Sequence, residues 1–377
     1  MSIPAFAPYV PMDVTPSRKG STLLRGIRAI RGFFAPSSSQ PISLQPDSPQ
    51  PNSLLNAYAP EFAPISPERP QDTRLPPIVD LQSVSGELQD HPAPAPMGEG
   101  PENRTRRLFV RSGGGMPGLD IHAGIWLALE RAGIVATDCW GTSAGAAVSA
   151  FDASGLAAGT VEEILRDLDD IDIRDERFAW KLRIPWLDYY LRPGPILDLL
   201  QWHLPGHWDF YAKPLHVYAT NAATGYATTM RDAFSDPARA VLASMSICGA
   251  FPPVKGDDGF LYFDGGVDAN LPAPAVPEIA TGYDEIWLLV ASGAPRGYTR
   301  NDRMLTRLIQ SARWMMHNQI LDSIADCRRA AEITGKTKVR VIWPALAAPR
   351  GVLHFDHDLI AQAYEWTAKQ LQQEAEA

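Results

Sequence analysis

Cysteine is scarce in this 377-residue chain: Cys139, Cys248 and Cys327 are the three present, an odd number with neither CxxC nor Cys/His ligand spacing. That scarcity excludes a disulfide framework and a cysteine-based zinc site, and it fits a reducing working compartment. Positive charge is also short. With 34 Lys and Arg against 43 Asp and Glu the net charge is −9, so the body of the protein offers no electrostatic footprint for nucleic acid. No apolar run reaches the roughly 18 residues of a membrane span, and the stretch MSIPAFAPYVPMDV lacks the charged and unbroken apolar regions of a secretory signal. No internal repeat of fixed period is present.

Proline, by contrast, is plentiful and unevenly spread. Nineteen of the 34 prolines fall within the first 101 residues, in company with Ser, Gln and Ala and without regular apolar spacing. A segment of that kind cannot bury enough surface to build a core, so residues 1–105 are expected to form a disordered leader. Within it, residues 18–34 (RKGSTLLRGIRAIRGFF) gather Leu23, Leu24, Ile27, Ile30, Phe33 and Phe34 on one face at about 100° per residue, with Arg25 and Arg28 opposite. This is a short basic amphipathic helix candidate, suited to an anionic membrane, a partner's groove or an organellar transit role, and Gly20, Gly26 and Gly32 weaken it.

From residue 106 onward, strand-like and helix-like runs alternate, the pattern of an α/β domain built on a mainly parallel sheet. Strands are expected at 106–110, 134–140, 215–220, 261–263, 285–290 and 338–343, and helices at 122–132, from Ala144, at 302–334 and at 357–374. Thr160 with Glu163 forms a capping box for a further helix from Val161. Residues 172–211 are crowded with aromatics, Trp186, Trp202 and Trp208 among them. Such a run suits the packing of a helical insertion or an apolar lid over a substrate channel, and as a lid it would be a partly mobile cap over Ser143.

Three short motifs carry the chemistry. GTSAG at 141–145 fits a sharp strand-turn-helix in which small neighbours, Gly141 and Gly145, let Ser143 stand exposed as a nucleophile. Upstream, GGGMPG at 113–118 follows a strand and opens a helix, so its amides can converge on an anion. Two anions compete for it. Gly113, Gly115 and Gly118 are spaced as in a dinucleotide site, with Asp138 available for a ribose at the end of the second strand; alternatively the amides form an oxyanion hole with Ala144. FDGGVDANLP at 263–272 favours the second, because Asp264, flanked by Gly265 and Gly266, can approach a serine hydroxyl without obstruction, and a nucleotide site has no use for it.

Taken in order, glycine loop, G-x-S-x-G elbow and D-G-G resemble the patatin-like lipid acyl hydrolases, and AGIWLALERAG, ATNAATG, ASMSICGAFPPV and Asn270-Leu271-Pro272 extend the likeness over about 106–375. The resemblance implies a three-layer fold with helices on both sides of the sheet. It also implies a Ser143–Asp264 dyad that forms an acyl-serine intermediate, with Gly113, Gly114, Gly115 and Ala144 as oxyanion donors and no cofactor or metal. The implied substrate is a phospholipid or other acyl lipid met at a membrane surface. The family usually has Arg or Lys where Pro117 stands here, which removes a positive charge and one amide from the loop. The leader suits a cytoplasmic protein or one exported without a cleaved signal, in the manner of injected phospholipase toxins, with a host activator or secretion chaperone as conceivable partners.

Histidine offers the alternative mechanism. The order Ser143, Asp264, His354 would permit a triad, whereas His203 and His207 are separated by Pro205-Gly206 and cannot align as helical zinc ligands. His122, in the helix after the glycine loop, and His357 complete the set considered. A non-catalytic binding or scaffold module and a nucleotide-binding oxidoreductase are the remaining readings.

Overall fold

The computed structural model describes residues 105–168, 191–293, 295, 297, 299, 304–346 and 351–376. The chain divides into two units, Met1–Met12 with Glu99–Ala377 and Asp13–Gly98, and every described residue belongs to the first. The expected leader and its 18–34 segment lie outside the described residues, as do positions 172–190 of the aromatic run.

In chain order the elements are β1 (Arg107–Arg111), α1 (Gly115–Arg131), β2 (Asp138–Thr142), α2 (Ala144–Ser154), α3 (Ala158–Arg166), α4 (Pro193–His203), β3 (Leu215–Asn221), β4 (Ala227–Thr229), α5 (Pro237–Ser244), β5 (Val254–Lys255), β6 (Leu261–Asp264), α6 (Pro277–Ala280), β7 (Glu285–Leu289), α7 (Met304–Thr334), β8 (Lys338–Ile342) and α8 (Asp358–Glu376). The strands form one sheet in the order β5-β6-β3-β2-β1-β7-β8, with β4 joined to β3 off that path. β3, β2, β1, β7 and β8 run parallel. β4, β5 and β6 pair antiparallel at the β3 margin, where short turns join β3 to β4 and β5 to β6.

Alternation along the strands makes the three layers. In β1 and β7, Leu108, Val110, Ile286 and Leu288 pack with Ile320, Ile324 and Cys327 of α7. Phe109, Trp287 and Leu289 point the other way, into the core that α1, α2, α5 and α8 share. Both faces are covered, which is why the middles of β1 and β7 are apolar on both sides. No helix among the described residues is long and apolar enough to cross a membrane.

Three local expectations need correction. α1 starts at Gly115 rather than at residue 122, so the glycine loop turns straight into the helix. The second strand occupies Asp138–Thr142 and not 134–140. The chain after α1 instead closes the helix, with Gly133 at φ 72° and Ile134 N donating to Leu129 O. The Thr160–Glu163 capping box does not form, because α3 begins at Ala158, two residues ahead of Thr160, with no side-chain cap from Ala157. The Ala158 amide instead donates to the Glu130 carboxylate of α1 at 3.3 Å, a cap supplied from a neighbouring helix.

Candidate active site

Between the end of β2 and the start of α2 stands Ser143, at φ 54° and ψ −126°. It is the one non-glycine residue with positive φ among the described residues, a conformation that persists only when its surroundings hold it. The surroundings here are backbone. A Cβ added at Gly145 would meet the carbonyl oxygens of Arg111 and Ser112 at 2.5 Å, and one at Gly141 would run into the Gly145 carbonyl. β1, β2 and α2 therefore close on one another only with glycine at both positions. Ser143 N donates to Ser244 Oγ at 2.8 Å, and Ser244 Oγ donates to Tyr218 O at 2.6 Å, which pins the turn to α5 and β3.

Asp264 ends β6, beside β3, and its carboxylate reaches Ser143 directly. Ser143 Oγ donates to Oδ2 at 2.7 Å, and Gly266 N donates to Oδ1 at 2.7 Å. Thr220 Oγ1 donates to the Asp264 carbonyl and Asp264 N donates to Ser246 O, so the backbone is held as well as the side chain. A Cβ at Gly265 would run into Tyr218 O, which gives the double glycine its physical reason. Ser143 and Asp264 are each 5% exposed. Burial pushes the Asp264 carboxyl up to about 6, against the opposing pull of the bonds from Ser143 and Gly266.

Fewer amides of the glycine loop point into open space than the sequence suggests. Gly113 N already donates to Asn270 O at 2.9 Å, so this amide is not available to an incoming oxyanion. Met116 N donates to Val352 O, and Pro117 has no N–H. The amides of Gly114 and Gly115, at the α1 N-terminus, remain as the loop's donors. Gly118 lies 3.1 Å from the Ala144 side chain by the same Cβ measure and sets the close packing of α1 on α2.

A cavity of about 350 Å³ contains Ser143 and Asp264 together with Gly113, Gly114 and Gly115. No described residue of the aromatic run is in its lining. Part of its lining comes from α7, through Ile309, Ala312, Arg313, Met316 and His317, and the rest includes Ile247, Val267, Ala291 and Val352. Trp202 is 85% exposed and lies outside that lining. Trp208 is buried because its indole N–H donates to Phe234 O at 2.7 Å. α4 borders a separate apolar void of about 40 Å³, through Leu199 and Leu200. Trp186 lies outside the described residues. Any chain-length dependence of ester hydrolysis is accordingly expected to follow α7. Met316→Ala is expected to lower the ratio of kcat/KM for a laurate over a butyrate ester by up to about ten-fold, because a buried methylene is worth about 0.8 kcal/mol. Trp202→Ala should leave the ratio as it is. The reverse pattern would return the acyl groove to the aromatic run.

The other sequence candidates are spread elsewhere. Asp138 opens β2 instead of ending it, at the far end of that strand from Ser143, where it accepts from Thr137 and Tyr283. A ribose held there could not share a phosphate with the glycine loop. His122 is buried, and burial lowers it to about 3, so a neutral ring donates from Nε2 to Ser112 O at 2.7 Å. His357 is pushed up by its bond to buried Asp120, while its other nitrogen donates to Leu168 O, which ties the chain before α8 to α1. His203 packs on Phe151, and the His207 ring accepts from Asp209 N. His354 is not among the residues lining the cavity; the imidazole in its wall is His317, which sequence reasoning passed over along with Arg313. Among the described residues no cluster of three or more His, Cys, Asp or Glu could hold a metal ion.

Comparison with known proteins finds the following similarities. The chain is 30% identical over 187 residues to the uncharacterized protein YqhO of Bacillus subtilis (strain 168), a match that covers 43% of this chain and 64% of YqhO, just under two thirds of its length. Among solved structures, VipD from Legionella pneumophila aligns at 14% identity and a TM-score of 0.39, over 71% of this chain and 67% of VipD. The type III effector protein ExoU aligns at 17% identity and a TM-score of 0.36, over 72% of this chain and 53% of ExoU. The patatin-like phospholipase family model matches residues 109–277, the span that holds the glycine loop, the elbow and Asp264.

Proposed function

We propose that this protein is a lipid acyl hydrolase that cleaves carboxylic esters of phospholipids or related acyl lipids through a Ser143–Asp264 dyad. The observation that carries the reading is the 2.7 Å hydrogen bond from Ser143 Oγ to Asp264 Oδ2, made by a strained serine inside an apolar cavity. The family match over residues 109–277 supports it.

The chemistry follows from the contacts. As Ser143 Oγ attacks the ester carbonyl carbon, its proton passes to Asp264 Oδ2 and the carbonyl π electrons move onto oxygen. The amides of Gly114, Gly115 and Ala144, at the N-termini of α1 and α2, are the donors for that oxyanion. Collapse of the tetrahedral species expels the alcohol, which takes the proton from Asp264 and leaves an acyl-serine. Water then attacks with Asp264 again as base; the fatty acid departs and Ser143 regains its proton. A carboxyl held near 6 suits both roles, since it is ionised at neutral pH yet more basic than an ordinary aspartate.

Mass spectrometry of a mixed lipid extract incubated with wild type and with Ser143→Ala tests the reading. Wild type should release free fatty acid and the matching lysolipid or alcohol, and should label with a fluorophosphonate at Ser143, while Ser143→Ala does neither. A folded wild-type protein that neither labels nor releases fatty acid in the presence of lipid would leave a binding module instead.

A further inference from the structure

Resting on that acyl-hydrolase reading, we propose that Asp120 is a positioning residue for the reaction: by holding a strap, residues 351–357, it seats the glycine loop that carries the oxyanion donors. A run of three glycines has more backbone freedom than any other, and Gly115 stands at φ 67°, so contacts from outside have to fix the loop. Backbone bonds flank it on both sides. Gly113 N donates to Asn270 O before the donors, and Met116 N donates to Val352 O after them, both at 2.9 Å. Val352 also packs directly on the loop, since a Cβ at Gly115 would run into its carbonyl oxygen and its Cγ2. Its side chain belongs to the lining of the cavity.

The strap is held in turn by Asp120, one helical turn along α1 from Met116. The fully buried carboxylate accepts from Asp356 N at Oδ2 and from His357 Nδ1 at Oδ1, each at 2.9 Å. His357 Nε2 donates to Leu168 O at 3.1 Å, just beyond α3. Both ring nitrogens face acceptors, so the imidazole carries both protons and sets its charge against the carboxylate. Val352 thus meets Met116 while Asp356 and His357 meet Asp120, and the strap is pinned at two points along one turn of α1. Ser143 and Asp264 are held by other partners, Ser244, Gly266, Thr220 and Ser246. A loosened strap should therefore reach the amides of Gly114 and Gly115 and leave the nucleophile and its base in place.

The test uses the full chain and a soluble ester, p-nitrophenyl butyrate. Asp120→Ala should lower kcat by about ten- to a hundred-fold, the cost of misplaced donors, with KM within about two-fold of wild type. Asp120→Asn is the rescue. Its carbonyl still accepts from Asp356 N and its amide can donate to Nδ1 of a neutral His357 whose Nε2–H keeps Leu168 O, so most of kcat should return. A folded Asp120→Ala protein with kcat within about two-fold of wild type overturns the proposal, and so does Asp120→Asn falling as far as Asp120→Ala. A second arm reads the loop without turnover, by hydrogen exchange followed by mass spectrometry. In Asp120→Ala, exchange should quicken about ten-fold over 113–119 and 351–357 while β3 and α5 exchange as in wild type. Unchanged exchange over 113–119 overturns the seat, and an equal rise through the whole domain marks ordinary destabilisation and overturns it too. If Asp120→Ala does not fold, His357→Ala, at a half-buried position, is measured against the same criteria. Should wild type hydrolyse no ester, the hydrolase reading falls and the exchange arm alone decides whether Asp120 seats the loop.

Discussion

Asp264→Asn should lower kcat for ester hydrolysis by about three powers of ten while the protein stays folded. An asparagine fits the same space and keeps an acceptor for Gly266 N, but it cannot take the proton of Ser143 Oγ. Its amide N–H groups also present a donor where the hydroxyl needs an acceptor. Ser143→Ala should cost at least as much, and the double variant should lose little more than either single one, because nucleophile and base act as a unit. The same carboxyl sets the pH profile. Burial raises it to about 6 and the ionised form is the active base, so kcat/KM should be level above that pH and fall about ten-fold per unit below it. Near-normal turnover in Asp264→Asn would rule out the dyad. Loss of turnover in His354→Ala, a residue outside the cavity lining, would promote the Ser143–Asp264–His354 alternative.

The parts of the site that could be read from sequence are those that leave a short glycine-bearing string behind. Gly141, Gly145 and Gly265 are each required because a neighbouring carbonyl occupies the place of a side chain, and so the motifs survive as short strings. Parts settled by tertiary packing were not readable. The aromatics at 202–211 do not reveal which of them pack and where: Trp202 is exposed, whereas Trp208 satisfies its indole on Phe234 O and is not in the cavity lining. α7 was visible as a long helix, yet only its return across the sheet puts Ile309, Arg313 and Met316 beside Ser143. The Gly113 amide looked available because nothing in the string reveals that Asn270 O, 157 residues on, accepts from it. At Asp138 the error came from an apolar run, Ile134-Val135-Ala136, that looks like a strand and in fact follows the end of a helix. α5, by contrast, went unnoticed although its signal was plain: Asp236 caps the Ala238 amide and Pro237 takes the first helical position.

A buried ion cluster behind the elbow should prove as important to stability as the dyad is to activity. Arg111, at the end of β1, is fully buried, with its guanidinium over the rings of Phe109 and Trp126 and 2.6 Å from Asp152 Oδ2 near the end of α2. Lys213 closes on the other carboxylate oxygen at 2.5 Å. Burial alone would raise the Asp152 carboxyl, but Arg111 and Lys213 together outweigh it and hold it below its ordinary value. Its contribution is therefore present above the unfolded carboxylate range and is lost as pH falls through the folded value. Asp152→Ala leaves Arg111 charged and uncompensated between two aromatic rings, a defect expected to cost about 3–5 kcal/mol. Urea unfolding should report it as a fall in midpoint at unchanged slope. The paired change Arg111→Met with Asp152→Leu removes both charges at similar volume and should recover most of the loss. Activity should follow stability, because this pair holds β1, whose end leads into the glycine loop, against α2, whose start carries Ser143. If Asp152→Ala unfolded within about 0.5 kcal/mol of wild type, the range ordinary for surface substitutions, the cluster would have no such structural role.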